Sequence, residues 1–582
     1  MNPGSKADSC VLYHAANQQW LYFESPTKIL STYCVDSVVE LLERAESLVK
    51  SEGYYAVGFL AYGAAPAFDP SLVVQSSQSL PLLWFGLYEN PKIIDLPRIA
   101  SASCKSLMWV SDLDDLGYEQ ALGKIKYYLA AGDTYQTNYT YRLHAEFDLN
   151  PWDYFRQMIQ AQGNGYGTFI NTDDWALCSA SPELLFERNG EALVSIPMKG
   201  TVGRGLYYQD DLDKRDWLQN SEKNRAENLM IVDMVRNDLS HIANVGSVKA
   251  DLLFQVKQYP TVWQMLSTLS CITSVKTSDV FRALFPAASI TGAPKIRTMN
   301  IIAELEHTAR ELYTGSVGFI APNNVAQFNV AIRSVVVDKC NGRASYGVGG
   351  GIVWDSDIDE ELNESQLKAK ILNYRLPDFK LIESLLWTRE EEYFLLAAHM
   401  QRLSQSAEYF SYAVDIEKIQ AELASCASRL SAGAYKVRLL VAQDARFSIE
   451  ADALEPLPEN YTLVLANTPV CAHEDRFLYH KTSLRQVYDQ AMAEKQGAND
   501  VLLWNEHNQI TESCIANIVV ELDGQLVTPT VHCGLLPGVY RQNLLESGAI
   551  QEAYITVDDV KRSNSVYLIN SVRKMWPVNL VT

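Results

Sequence analysis

A chain of 582 residues with a formal net charge of −21 is too long for a single hydrophobic core, and its charge has the wrong sign for a nucleic-acid or anionic-membrane surface. Its 47% hydrophobic and 20% charged residues are those of an ordinary globular protein and exclude a disordered or low-complexity chain. No apolar run reaches the roughly 18 residues of a membrane helix, the start has no apolar targeting core, and the cysteines are scattered with no C-x-x-C pair, so a cytoplasmic protein with free thiols is expected.

In chain order, the pattern predicts a β-type run over Tyr54–Tyr62, helices over Arg225–Leu239 and Lys295–Glu306, and a second β-type run over Gln327–Val337. A helical pattern then starts at Ile358 and ends just before Pro377, where a new strand-like run begins at Phe379. That seam divides the chain into 1–375 and 378–582. The first part lacks regular βαβ alternation, which points to an α+β domain of layered antiparallel sheets with helices. The second has the size of two small α/β lobes.

Three segments of the first part, and the lysine pentapeptide between two of them, carry ionisable residues in suggestive patterns. Ser181-Pro182-Glu183 precedes Pro197-Met198-Lys199-Gly200-Thr201, where one lysine is expected in a tight, glycine-adjacent turn. The run Ser221–Asp233 contains Asn224 and Glu227, three apart and on one helix face, as are Glu361 and Glu364 further on. Carboxylates from two helices make an oxygen-rich site suited to Mg²⁺. The same Glu-x-x-Glu also fits a solvated helix face, and Glu364 with Lys368 also fits a plain i,i+4 ion pair.

Together with Gly132–Asn138, Phe285–Lys295, Tyr313-Thr314-Gly315, Ile332-Arg333-Ser334 and Gly349–Val353, these segments resemble the chorismate-utilising enzymes, the family of anthranilate synthase, salicylate synthase and aminodeoxychorismate synthase component I. The resemblance implies chorismate as substrate, Glu183 as the acid that helps the C4 hydroxyl leave, and Glu227 and Glu364 as magnesium ligands with Glu361 nearby. It implies a substrate cradle of Thr291, Gly292, Tyr313, Arg333, Gly349 and Gly350. Within the family a lysine at position 199 marks the aminodeoxychorismate synthases, where it is a covalent nucleophile, and the anthranilate and salicylate enzymes carry alanine. Two departures stand out: Gln264 where several relatives have histidine, and Ala287-Ala288 in place of a glycine pair. No segment resembles a glutaminase, so ammonia is expected from a separate glutamine amidotransferase subunit.

The second part resembles the fold-type IV pyridoxal-phosphate enzymes through Ile382–Leu385, His399–Leu403, His480–Arg485, Ile510–Asn517, Gly534–Arg541 and Asn570-Ser571. The resemblance implies Lys481 as the amine that bonds pyridoxal 5'-phosphate and Glu512 as the carboxylate on its ring nitrogen. Arg402, Val539, Tyr540 and Ser571 would hold the phosphate, and a homodimer through this part is implied. In the context of the first part, elimination of pyruvate to give 4-aminobenzoate, the folate precursor, is the expected reaction. An anthranilate-type synthase joined to an aminotransferase, or a non-catalytic second part, remain the alternatives.

Overall fold

The computed structural model describes residues 3–97, 99, 105–163, 165–375, 377–473, 475–495 and 497–581; Leu376 of the expected seam and Cys104 lie outside them. The chain forms two compact units, one of Met1–Arg204 and Lys214–Pro377, the other of Gly205–Asp213 and Asp378–Thr582. The short segment Gly205–Asp213 thus packs with the second unit. There the Tyr409 hydroxyl donates to the Gly205 carbonyl at 2.5 Å and Tyr207 stacks on Tyr479.

The first unit is built on two 10-stranded sheets in which every pairing is antiparallel. Alternation along the strands makes the layers. In Tyr55–Leu60, Val57 and Phe59 face one way and Ala56 and Leu60 the other, as a period of two requires. Val57 and Phe59 meet Leu12 and Leu177 of the opposite sheet in a core between the sheets. The outer face of one sheet is covered by helices Val38–Glu52, Glu222–Ser240 and Thr277–Leu284. That of the other is covered by Asp115–Ala130 and Pro151–Gln162. The expected β-run Gln327–Val337 is two strands, Val325–Val330 and Ser334–Asp338, in different sheets. Arg333 between them, at φ 50°, is where the chain changes layer.

The second unit has a 4-stranded sheet holding Leu381–Thr388, Tyr435–Val441 and Phe447–Ala453, and two further sheets of 4 and 5 strands. Parallel pairings occur here, Thr462–Leu465 with Asp500–Trp504 among them, so this unit is α/β and two-lobed. Among the described residues no helix is long and apolar enough to cross a membrane, and the described cysteines are free thiols.

Candidate active sites

Strand Met198–Gly203 pairs with Val262–Ile272, and the register slips between Met198 and Thr201. The slip is a bulge at Lys199 and Gly200, with Gly200 at φ 100°, which glycine adopts without the Cβ penalty. The expected tight turn is therefore corrected to a bulged strand, because Val202 and Gly203 carry the ladder on to Trp263 and Val262. Asn228 clamps the bulge: its Nδ2 donates to the Lys199 carbonyl at 3.3 Å and its Oδ1 accepts from Ser267 Oγ at 2.6 Å. The Lys199 side chain reaches strand Arg343–Ile352, where a Cβ added to Gly351 would stand 2.0 Å from Nζ. Absence of a side chain at Gly351 makes room for the ammonium group.

A cavity of about 410 Å³ belongs to the second unit, and one of about 610 Å³ to the first. Lys199, Glu183, Glu227, Glu361, Glu364, Tyr313, Arg333 and Gly349 all line the latter. Glu183 is 3% exposed. Burial pushes its carboxyl up to about 7, against the opposing pull of Ser289, Met198 and Lys199. Ser289 Oγ donates to Glu183 Oε1 at 2.6 Å. Glu227 and Glu361 are also raised, chiefly by burial. Burial acts on Glu364 too, but Lys368 at 2.6 Å outweighs it and holds the carboxyl below its ordinary range. Glu361 Oε1 accepts from Ser356 Oγ at 2.6 Å. Glu227, Glu361 and Glu364 line one cavity, and among the described residues no three acidic, histidine or cysteine side chains form a preformed metal-holding group. What the three offer a hard cation is oxygen donors, two of them buried without full compensation.

Three expected cradle residues stand apart from this cavity's lining: Thr291, Gly292 and Gly350. The Thr291 hydroxyl is fully buried and donates to the Ala287 carbonyl at 3.0 Å. Gly292 packs against the Gln136 carbonyl, and Gly350 faces Glu361, whose Oε2 would lie 2.9 Å from an added Cβ. Tyr313 is fixed by packing, since a Cβ on Gly347 would stand 2.1 Å from its ring, and the Arg142 guanidinium lies 5.0 Å from the ring centroid. Arg333 is 5% exposed, hydrogen-bonded to Gln162 and 5.8 Å from the Tyr259 ring centroid. Gln264 lines the cavity, and its buried Oε1 has no hydrogen-bond partner among the described residues. Lys368 was not foreseen as a site residue: its Nζ donates to the Gly349 carbonyl at 2.9 Å while pairing with Glu364. Its only sequence signal is the four-residue spacing.

In the second unit Lys481, Glu512, Arg402, Val539, Tyr540 and Ser571 line a single shared cavity. Burial, then the Arg402 charge, lowers the Lys481 amine to about 8. Glu512 is lifted to about 7 by burial, although Tyr488 Oη donates to it at 2.8 Å and Asn517 Nδ2 at 3.1 Å. Arg402 forks onto Glu383 at 2.9 and 2.6 Å, and His399 Nδ1 meets the same carboxylate at 2.7 Å. Burial alone would raise Glu383, but Arg402 and His399 bring it to about 2. Gly538 precedes helix Val539–Glu546 and admits the Asn517 side chain, which would lie 2.1 Å from an added Cβ. The first-turn amides of that helix therefore start beside Glu512's neighbour, a favourable place for an anion.

A lysine and a buried carboxyl whose pKa is raised by burial line one cavity of the layered antiparallel unit, and sequence comparison gives its family. The model of the chorismate binding enzymes matches residues 8–374, and the chain belongs to that family. The class IV amino-transferase model matches residues 380–581. The chain is 41% identical over 257 residues to the aminodeoxychorismate synthase of Streptomyces griseus, covering 44% of this chain and 35% of that one. It is 37% identical over 259 residues to aminodeoxychorismate synthase component 1 of Escherichia coli strain K12, covering 44% and 57%. The chain thus spans about a third to just over half the length of these relatives. Among solved structures, anthranilate synthase component I from Streptococcus pneumoniae TIGR4 superposes with a TM-score of 0.53 at 22% identity, over 63% of this chain and 92% of that one; this likeness speaks to fold.

Proposed function

We propose that the first unit aminates chorismate at C4 through a covalent adduct on Lys199, and that the second eliminates pyruvate from the product to give 4-aminobenzoate. The observation that carries the reading is the meeting of Lys199 and Glu183 in one cavity, on a chain whose relatives include aminodeoxychorismate synthases. The Lys199 amine bonds C2 as both ring double bonds shift, C1=C2 to C1=C6 and C5=C6 to C4=C5, and the C4 hydroxyl departs as water with the proton of Glu183. That carboxyl still holds a proton near neutrality because burial raises it to about 7. Ammonia then bonds C4, both double bonds shift back, and the lysine leaves C2 as a free amine. Arg333 suits a substrate carboxylate because its planar fork pairs two oxygens. Glu227 and Glu364, with Glu361, would hold Mg²⁺, which would supply positive charge against a substrate carboxylate.

In the second unit the buried lysine, the carboxyl that can keep a ring nitrogen protonated, and the Arg402 and Val539–Tyr540–Ser571 wall fit pyridoxal 5'-phosphate. When bound, this cofactor supplies an electron sink. Lys481, its amine lowered to about 8, can accept and return a proton near neutral pH. Ammonia would come from a separate glutamine amidotransferase subunit, the cytoplasm would suit the free thiols, and a homodimer would form through the second unit.

The test is product analysis. Incubating the chain with chorismate, Mg²⁺, an ammonium salt and pyridoxal phosphate is expected to yield 4-aminobenzoate and pyruvate, while glutamine cannot replace ammonium. Anthranilate would overturn the first-unit reading, and accumulation of 4-amino-4-deoxychorismate would overturn the second.

A further inference from the structure

The first unit holds a further cavity, of about 300 Å³, that shares Tyr313 and Gly347 with the cavity of Lys199 and Glu183. Its floor is three neighbouring strands, Gln136–Glu146, Arg343–Ile352 and Ser334–Asp338. Arg142 stands opposite Gly347 and His144 opposite Ser345, with Val336 opposite Ser345 on the other side. Residues directly opposite in an antiparallel ladder share a face, so these side chains point the same way. Gly347 leaves room above this floor, and the Tyr313 ring takes it: an added Cβ would stand 2.1 Å from the ring. The segment 308–312 and the Ser76-Ser77 pair close the cavity.

Arg142 is 5% exposed. Its Nη1 donates to Thr140 Oγ1 and to the Tyr141 carbonyl, both at 3.1 Å, and its guanidinium lies 5.0 Å from the Tyr313 ring centroid. Its Nη2 is buried and has no hydrogen-bond partner among the described residues. A buried charged donor left without an acceptor is costly. The carboxylates nearby are already engaged. Glu306 accepts from Arg310 Nη2 at 2.7 Å and Thr140 Oγ1 at 2.8 Å, and Asp112 accepts from the Arg142 backbone N–H at 2.8 Å and the Thr308 hydroxyl at 2.9 Å. Burial accordingly pulls the Arg142 guanidinium below its ordinary value, even with Glu306 close by. One carboxylate, Glu311, lines the cavity; its Oε1 accepts from Ser77 Oγ at 2.9 Å, and its Oε2 has no partner among the described residues. The lining thus offers a donor for one anionic group, an acceptor for one donor group, and apolar surface from Ala309, Leu312, Val336 and the Tyr313 ring.

We infer that this cavity is an effector site for a small aminoaryl carboxylate, whose carboxylate accepts from Arg142 and whose amine donates to Glu311, and that its occupant slows amination through Tyr313. The inference rests on the proposed function of the first unit and goes beyond it. One orphaned guanidinium N–H beside one carboxylate suits a ligand with a single negative charge and disfavours a dicarboxylate such as the substrate. The end product of the proposed reactions, 4-aminobenzoate, belongs to the fitting class. A carboxylate on Nη2 competes with the Tyr313 ring for the guanidinium, so the wall common to both cavities loses the cation that holds it.

The experiment measures initial rates of chorismate consumption by the full chain with Mg²⁺ and an ammonium salt, over a range of chorismate, at rising 4-aminobenzoate. It is repeated with 4-aminobenzamide, which has the same ring and amine but no charge. With 4-aminobenzoate, kcat is expected to fall to a plateau about two- to tenfold below its starting value, the scale of one lost cation–π contact. KM for chorismate should change less, and the amide should have no effect at the same concentrations. Ser345→Leu fills the floor of the cavity from a residue outside the active site; its basal kcat should match wild type and its response to 4-aminobenzoate should vanish. Equilibrium dialysis with radioactive 4-aminobenzoate should count one site fewer per chain in this variant, since binding in the second unit is common to both proteins. A rise in KM at constant kcat would overturn the inference by placing the compound in the active site. So would an equal response to the amide, or equal numbers of sites in the two proteins; the wild-type rates decide the matter even if the variant does not fold. Anthranilate among the products would instead refute the proposed function, while the dialysis difference judges the effector site by itself.

Discussion

Replacing Glu183 with glutamine tests the acid role and its physical origin together. Burial raises the carboxyl from 4.5 to about 7; at roughly 1.4 kcal/mol per pH unit this is on the order of 3 kcal/mol against the ionised form in the folded protein. A folded-state value above the unfolded one means that the folded chain binds the extra proton. The stabilisation is complete below the unfolded value and is lost as pH rises through about 7. Wild type should therefore lose on the order of 3 kcal/mol of stability, at most, between pH 5 and 8, and Glu183→Gln should not lose that part. In turnover, kcat/KM for amination, expressed per free ammonia, should fall above pH 7 in wild type as the acid loses its proton. The variant should be slower by about 10²- to 10⁴-fold and lack that limb. Urea unfolding at a series of pH values and a pH–rate series measure both. A flat wild-type profile through pH 7, or a variant with undiminished rate, would refute the reasoning.

Gly351→Ala places a methyl 2.0 Å from Lys199 Nζ; the flexible ammonium end must move, so kcat for amination should drop by up to about 10²-fold, as for a roughly 1 Å misplacement, while the melting temperature changes little. Asn228→Ala strips the Lys199 carbonyl and Ser267 of partners and should cost about 1–3 kcal/mol in denaturant unfolding along with amination rate. Lys481→Ala should abolish the visible absorbance of bound pyridoxal phosphate and pyruvate release, while chorismate continues to be aminated by the first unit.

Much of the fold class and most of the cavity-lining residues were legible because each motif carries its own residue types. Lys199, Glu183, Glu227 and Glu364 come from separate segments, and each arrives in the same cavity. What stayed hidden depends on register and on which layer a segment joins. The bulge at Lys199–Gly200 shows only against the partner strand. Gln327–Val337 looks continuous by composition, yet its two halves lie in different sheets. Thr291 looks like a substrate-facing hydroxyl, but its donor goes to Ala287, since a buried hydroxyl takes the nearest carbonyl. Arg142 belongs to no motif; only strand pairing shows that it shares a cavity with Ser345 and Tyr313. Nor could spacing show that Gly205–Asp213 packs with the second unit.

The central claim, covalent capture of chorismate by Lys199, is tested most directly by mass spectrometry. Protein mixed with chorismate and Mg²⁺ without ammonia is quenched in acid and digested. The account predicts that the peptide bearing Lys199 gains the mass of chorismate less water, that ammonium discharges it, and that Lys199→Ala shows no gain. An unmodified Lys199 peptide from a preparation that aminates chorismate once ammonium is added would contradict it.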